Sequence, residues 1–219
     1  MNTVKTGWIG LGKMGIPMSQ QLIKAGYPLS VYNRSKDKEA GFKEQGIGTA
    51  ASPASLLNNA DVVFVMVSDD KAINDIFNGE GGLLAANVSG KIIINMSTVS
   101  PAISKEMAAA CKQRGHYYLD APVSGSVKQA EDAMLVIMVG GEAEAFDQAK
   151  PILEKMGKLV MLVGDTGAGN VAKLAINTLL GIVAQGFAET ITLAQQNGIN
   201  AEALTMLISN SALGSPFIK

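Results

Sequence analysis

Residues 6–15 read Thr6-Gly7-Trp8-Ile9-Gly10-Leu11-Gly12-Lys13-Met14-Gly15. Val4 to Ile9 has the pattern of a short buried strand, and Ile16 to Ala25 that of a helix. A Gly-x-Gly-x-x-Gly therefore spans the turn between them. Gly10 permits the tight turn, Gly12 leaves the backbone bare for a pyrophosphate, and Gly15 lets the helix pack close to the strand. The N–H groups and positive dipole end at the helix start favour phosphate. The competing reading is a turn that is merely glycine-rich. Its place between strand and helix favours a dinucleotide fingerprint carried by Gly10, Leu11, Gly12, Lys13, Met14 and Gly15.

Outward from that turn, strands and helices alternate. Leu29–Tyr32 reads as a second strand, Ser35–Gln45 as a charged helix and Ile47–Thr49 as a short third strand. Ser52-Pro53 has the cap-and-proline start of a helix. Asp61–Val67 and Lys91–Asn95 are apolar runs of the kind covered on both faces in a parallel sheet. Asp69–Phe77 and the stretch from Ser100-Pro101 to Arg114 read as helices, and Tyr117–Asp120 as a strand. Met134–Val139, Glu142–Met156 and Leu159–Val163 add strand, helix and strand. The expected fold is α/β: a doubly wound parallel sheet over residues 1–165, then the start of an all-helical domain over 166–219. One long helix is expected from Gly169 to about Asn197, ended by Gly198, and another from Ala201 to Ser209.

Composition narrows the function classes. Of 219 residues, 47% are hydrophobic and 17% charged, enough apolar material for a sizeable core. A net charge of −1 gives no reason to expect nucleic acid or an anionic membrane. Cys111 is the one cysteine, so no internal disulfide and no cysteine zinc site is expected. No signal-peptide pattern precedes the first strand, and the apolar stretch Leu174–Ala184 reads as too short to span a membrane, so a cytoplasmic protein is expected.

The second strand ends at Asn33, where NAD-preferring sites carry Asp or Glu for the ribose 2′-hydroxyl. Asn33, Arg34 and Ser35 can instead receive a 2′-phosphate, through the guanidinium and the hydroxyl. NADP is therefore expected over NAD, the alternative being a solvated basic helix start around Lys36 and Lys38. Val67, at the carboxyl end of its strand, joins the expected cofactor contacts. His116, the one histidine, precedes its strand and reads as structural. Ser124-Gly125-Ser126 is either a cradle for a carboxylate or an ordinary turn. Lys173 and Asn177 fall at i and i+4 on an otherwise apolar helix. Desolvation there would lower the lysine pKa toward acid–base use, whereas a lysine snorkelling to the surface is the other reading.

Three motifs in order resemble the β-hydroxyacid dehydrogenase family. They are Gly7–Met18, with Trp8 where Phe is usual, Asp120-Ala121-Pro122-Val123-Ser124-Gly125-Ser126, and Gly167–Asn177. Ser97-Thr98 followed by Ser100-Pro101 is similar to the family's cofactor loop. The resemblance implies Lys173 as catalytic acid/base, Asn177 orienting substrate, Ser124, Gly125 and Ser126 holding its carboxylate, and Thr98 near the nicotinamide ribose. No metal is needed for that chemistry, and the apolar late helices point to a homodimer with the helical domains packed together. Within the family the chain is similar to NADPH-linked reductases of glyoxylate and succinic or tartronate semialdehyde, with 3-hydroxyisobutyrate dehydrogenase, NAD- or NADP-linked, as the alternative. A non-catalytic cofactor-binding module is the alternative of another class. Ala133 stands where Gly is common. Family members continue for roughly another third of this length, so a helical domain unfinished at Lys219 is expected.

Overall fold

The computed structural model describes residues 4–215. It divides into two compact units, Met1–Leu174 and Ala175–Lys219.

The first unit alternates as its sequence does: β1 (Thr6–Ile9), α1 (Gly15–Lys24), β2 (Leu29–Tyr32), α2 (Ala40–Glu44), β3 (Gly48–Thr49), α3 (Pro53–Asn59), β4 (Val62–Val65), α4 (Asp70–Asn78), β5 (Ile92–Asn95), α5 (Pro101–Gln113) and β6 (Tyr117–Asp120). These strands pair in parallel, in the order β3-β2-β1-β4-β5-β6. The order reverses between β1 and β4, and the crevice at their carboxyl ends is where such sheets bind ligands. Every residue of β1, β4 and β5 is buried, so these strands show no polar alternation. Successive side chains still part to opposite faces. Trp8, Phe64 and Ile94 enter one apolar cluster, with Leu22 and Val31; Ile9, Val63, Val65 and Ile93 enter the other, with Phe77. The helix starts carry side-chain caps: Ser52 accepts from Ser55 N–H, Asp69 from Ala72 N–H and Ser100 from Ile103 N–H.

The expected helix Ser35–Gln45 is instead a 3-10 turn, Lys36–Glu39, leading into the short α2. Glu39 folds inward there to accept the Asn33 N–H at 3.0 Å.

After β6 the chain doubles back. Val123–Ser124 forms β7, Val127–Glu131 forms α6, and β8 (Leu135–Gly141) lies antiparallel to both β6 and β7. The connection holds only a five-residue helix, too little for a parallel crossover. Following α7 (Ala143–Leu153), β9 (Gly157–Gly164) pairs parallel with β8. The sheet is thus parallel through β6 and mixed beyond it.

The helix α8 (Ala168–Gln196) runs 29 residues, and the division between the units falls inside it. In the second unit, two residues past its end, Gly198 adopts φ +80°. Helix α9 (Ala201–Ser209) follows, capped by Asn200, whose side-chain oxygen accepts from Glu202 and Ala203 N–H. Ile176, Leu179, Leu180, Ile182, Met206 and Leu207 are exposed. The expectation that the apolar stretch is too short for a membrane is corrected: α8 is long and apolar enough to cross one by length and composition, with a mean hydropathy of 1.5.

Candidate active site

The glycine turn behaves as its spacing predicts. Gly10 adopts φ +98°, and a Cβ there would sit 2.0 Å from the Met66 carbonyl oxygen. At Gly15 a Cβ would lie 1.9 Å from the Gly10 carbonyl oxygen, so only glycine lets α1 approach the strand this closely. Around Gly12 nothing lies within 4 Å of such a Cβ. Gly12 is bare toward open space, the provision a pyrophosphate needs. Trp8 Nε1 donates to the Gly10 carbonyl at 3.0 Å, and the indole stacks on Phe64 at 5.4 Å, pinning the turn from below.

A cleft with about 730 Å³ of empty space opens over this turn. Gly10, Leu11, Gly12, Asn33, Arg34, Ser35 and Val67 line it together, as do Lys38, Met66, Ser68 and Asp75. Lys13 and Met14 lie just beyond that lining, at the start of α1. The corner at the end of β2 is closely wired. Asn33 Oδ1 accepts the Leu11 N–H at 2.8 Å, while its Nδ2 donates to the Ser35 carbonyl. The amide therefore clamps the glycine turn to β2. Glu39 is turned away from the cleft and held by Lys36 at 2.9 Å and Lys43 at 3.7 Å. Lys36 also lies over the Tyr32 ring. This leaves Arg34 and Lys38 as cleft cations with no carboxylate partner among the described residues. Charge sign and open backbone fit a dinucleotide, and the two cations with Ser35 fit a phosphate on its ribose. Lys38, assigned from the sequence to the alternative of a solvated helix start, lines the cleft. Arg34 precedes the 3-10 turn Lys36–Glu39, so no helical spacing in the sequence places it beside Lys38.

Val67 N–H donates to the buried Ser97 hydroxyl at 2.9 Å, which ties the end of β4 to the loop after β5. Thr98 is exposed on that loop and lines a neighbouring depression with Ser68, Asp69, Ser100 and Leu174. Lys173 precedes Leu174 on α8. It is half-buried, and burial lowers its pKa from the ordinary lysine value. No ion pair offsets that desolvation among the described residues. Ser124, Gly125 and Ser126 line neither the cleft nor the depression. Ser126 caps α6: its N–H donates to Gln129 Oε1 at 2.7 Å and its hydroxyl accepts the Gln129 N–H at 3.4 Å. Asn177 belongs to the second unit and is exposed there.

The first turn of α8 rests on Asp120, which is wholly buried. Burial raises its carboxyl pKa, and the N–H groups of Gly167 and Asn170 oppose that rise.

Residues 5–164 match the family described as the NAD binding domain of 6-phosphogluconate dehydrogenase. Glyoxylate/succinic semialdehyde reductase 2 of Arabidopsis thaliana is 36% identical over 99% of this chain and 60% of its own length. A 3-hydroxyisobutyrate dehydrogenase of Pseudomonas aeruginosa is 38% identical over 95% of this chain and 70% of its own. The solved structure of a Mycobacterium tuberculosis 3-hydroxyisobutyrate dehydrogenase with L-serine superposes with a TM-score of 0.90 at 31% identity, over 99% of this chain and 73% of that one. The fold and site define a dinucleotide-binding domain followed by a helical region. The chain belongs to the β-hydroxyacid dehydrogenase family. It spans between 60% and 70% of the length of these two curated relatives.

Proposed function

We propose that the chain is the cofactor-binding and catalytic-lysine part of an NADPH-dependent reductase of small aldehydes that carry a carboxylate. The observation that carries this reading is the cleft in which bare Gly12 faces open space beside Arg34, Ser35 and Lys38, while Glu39 is held by Lys36 and the one carboxylate in the lining, Asp75, is paired with Lys71. That charge arrangement favours a ribose 2′-phosphate. A bound nicotinamide supplies hydride to the carbonyl carbon. Lys173 Nζ then gives its proton to the developing alkoxide oxygen, and its charge stabilises that oxygen as it forms. Desolvation of Lys173 eases that release, because the ammonium form is the one penalised by burial. In reverse, the amine takes the proton from a β-hydroxyacid. Asn177, one helical turn after Lys173 in sequence, orients the substrate oxygen. Ser124, the Gly125 backbone and Ser126 receive the carboxylate; the Ser126 hydroxyl proton stays available, because in the cap that oxygen only accepts.

A second reading, oxidation of 3-hydroxyisobutyrate, has the support of the Pseudomonas and Mycobacterium relatives. It uses the same lysine in the opposite direction. Both readings include a homodimer through the helical unit, supported by the exposed Leu179, Ile182, Met206 and Leu207. A monomer by sedimentation would count against it.

The test is a titration with NADPH and NADH, followed by absorbance on adding short semialdehydes to the reduced cofactors and 3-hydroxyisobutyrate to NADP+ and NAD+. Turnover faster with NADPH, cut to a small residual rate in Lys173→Ala with cofactor binding retained, is the expected result. Preference for NADH overturns the reading of Arg34, Ser35 and Lys38. Tight binding with no turnover in the unmodified chain leaves a cofactor-binding module instead.

A further inference from the structure

Asp120 closes β6, and its carboxylate is wholly buried with no cation beside it among the described residues. Its charge is met by backbone. Gly167 N–H donates to Oδ1 at 2.6 Å and Asn170 N–H donates to Oδ2 at 2.9 Å. These donors lead into and open α8, where a carboxylate also meets the positive end of the helix dipole. The approach depends on missing side chains. A Cβ at Gly140 would stand 2.6 Å from Asp120 Oδ1, and one at Gly169 would stand 2.6 Å from the Asp120 carbonyl and 2.5 Å from that of Met138.

Asn170 carries the hold onward. Its Oδ1 accepts the Val99 N–H at 3.0 Å, and its Nδ2 donates to Ser104 Oγ at 3.2 Å. Val99 adjoins Thr98. The same buried chain continues through Tyr118, whose hydroxyl donates to Ser104 Oγ and accepts from Asn95 Nδ2 at 3.0 Å. Asn95 Oδ1 accepts the Ser97 N–H, and Ser97 Oγ accepts the Val67 N–H. Thus the turn that delivers Lys173, the loop after β5 that carries Ser97 and Thr98, and Val67 at the end of β4 are joined by one unbroken run of hydrogen bonds.

We propose that Asp120 is the positioning residue for Lys173. It holds the first turn of α8 against the end of β6, and Asn170 locks that turn to the cofactor loop, so the lysine and the nicotinamide end of the cleft keep one geometry. This rests on the reading of Lys173 given above. The reasoning is that an acid–base group misplaced by about 1 Å loses about 10²-fold in rate. A wholly buried carboxylate opposes that displacement.

The decisive variant is Asp120→Asn. It keeps the volume and one acceptor, but sets an amide N–H against the N–H of Gly167 or Asn170. Four proteins are compared: the unmodified chain, Asp120→Asn, Lys173→Ala and the double variant. Thermal melts confirm that each is folded. NADPH affinity is read from quenching of Trp8, the chain's one tryptophan. Asp120→Asn is expected to lose about 10²-fold in kcat with NADPH affinity unchanged, and to cost nothing further on the Lys173→Ala background. The same loss repeated on that background overturns the proposal, because Asp120 would then act without the lysine. Amide hydrogen exchange over residues 167–173 and at Val99 tests the hold apart from turnover. Faster exchange in Asp120→Asn supports it, and unchanged exchange overturns it even if the unmodified chain reduces no aldehyde. In that last event the proposed function falls by itself. Should Asp120→Asn not fold, Asn170→Ala cuts the lock to Val99 while leaving the Asp120 contacts to backbone. It is expected to speed exchange at Val99 and lower kcat; the absence of both changes would overturn the proposal.

Discussion

Ala133 offers a test in which the magnitude can be worked from the backbone. It adopts φ +57°, the one non-glycine residue with positive φ among those described. The reason is the end of α6. With Asp132 as C-cap, the Ala133 N–H donates to the Ala130 carbonyl at 3.4 Å and the Met134 N–H to the Gln129 carbonyl at 2.8 Å. That pair of bonds is a Schellman ending, whose C′ residue must be left-handed and is usually glycine. An L-residue in that conformation costs roughly 1–2 kcal/mol. Glycine removes the cost but gives back roughly 0.5–1 kcal/mol in unfolded-chain entropy. Ala133 is only part-buried, so deleting its methyl forfeits little packing. Ala133→Gly should therefore stabilise the chain by about 0.5–1 kcal/mol, a rise in Tm of about 1–4 °C for a chain of this size. Calorimetry on Ala133→Gly beside Ala133→Val decides it. Valine, β-branched, should fall below the parent. A lower Tm for glycine, or valine matching the parent, would refute the strain argument.

Gly10→Ala and Gly12→Ala should separate fold from binding: the first, with 2.0 Å to the Met66 oxygen, lowers Tm, while the second leaves Tm in place and weakens NADPH binding in a direct titration. Trp8→Phe removes the indole bond to Gly10, worth roughly 0.5–1.5 kcal/mol, and should weaken NADPH binding measured by calorimetry by about 2- to 10-fold. Arg34→Ala with Lys38→Ala should raise the Kd for NADPH and leave that for NADH unchanged; equal changes in both would remove the 2′-phosphate from the argument. The His116 pKa is lowered, first by burial and then by Lys91 and Arg114. Its Nδ1 accepts the Lys91 N–H at 3.3 Å, which requires the neutral ring. The unfolded chain therefore binds the proton more readily, so this contribution is complete above the ordinary value of 6.5 and is lost as pH falls through the lowered folded one. His116→Asn keeps an acceptor without titrating and should flatten the fall in Tm between about pH 7 and pH 5; parallel curves would refute the assignment.

Much of the first unit was legible because its signals are local. The glycine turn, the buried runs Val62–Val65 and Ile92–Asn95, and the caps Ser52, Asp69 and Ser100 all act on residues within a few positions. The two-residue β7 and five-residue α6 are shorter than any period can show. The antiparallel sense of β8 depends on where the chain travels, which no strand pattern encodes. At the nucleotide corner the residue types were readable, but their division of labour was not. Lys36 and Lys38 are alike in sequence; only the inward turn of Glu39 separates a structural lysine from one lining the cleft. Asp120 was read as the end of a strand and the start of a motif. Its partner Gly167 lies 47 residues on, beyond any local signal.

The clamp made by Asn33 has an evolutionary consequence. What the glycine turn requires of position 33 is an acceptor for the Leu11 N–H, and the side-chain oxygen supplies it. Aspartate supplies the same oxygen in the same place and gives up only the bond from Nδ2 to the Ser35 carbonyl. Asn and Asp codons differ by a single base. A lineage can therefore cross between the amide and the carboxylate that binds a ribose 2′-hydroxyl without unmaking the turn on the way. A change of charge at position 33 is thereby uncoupled from the integrity of the fold.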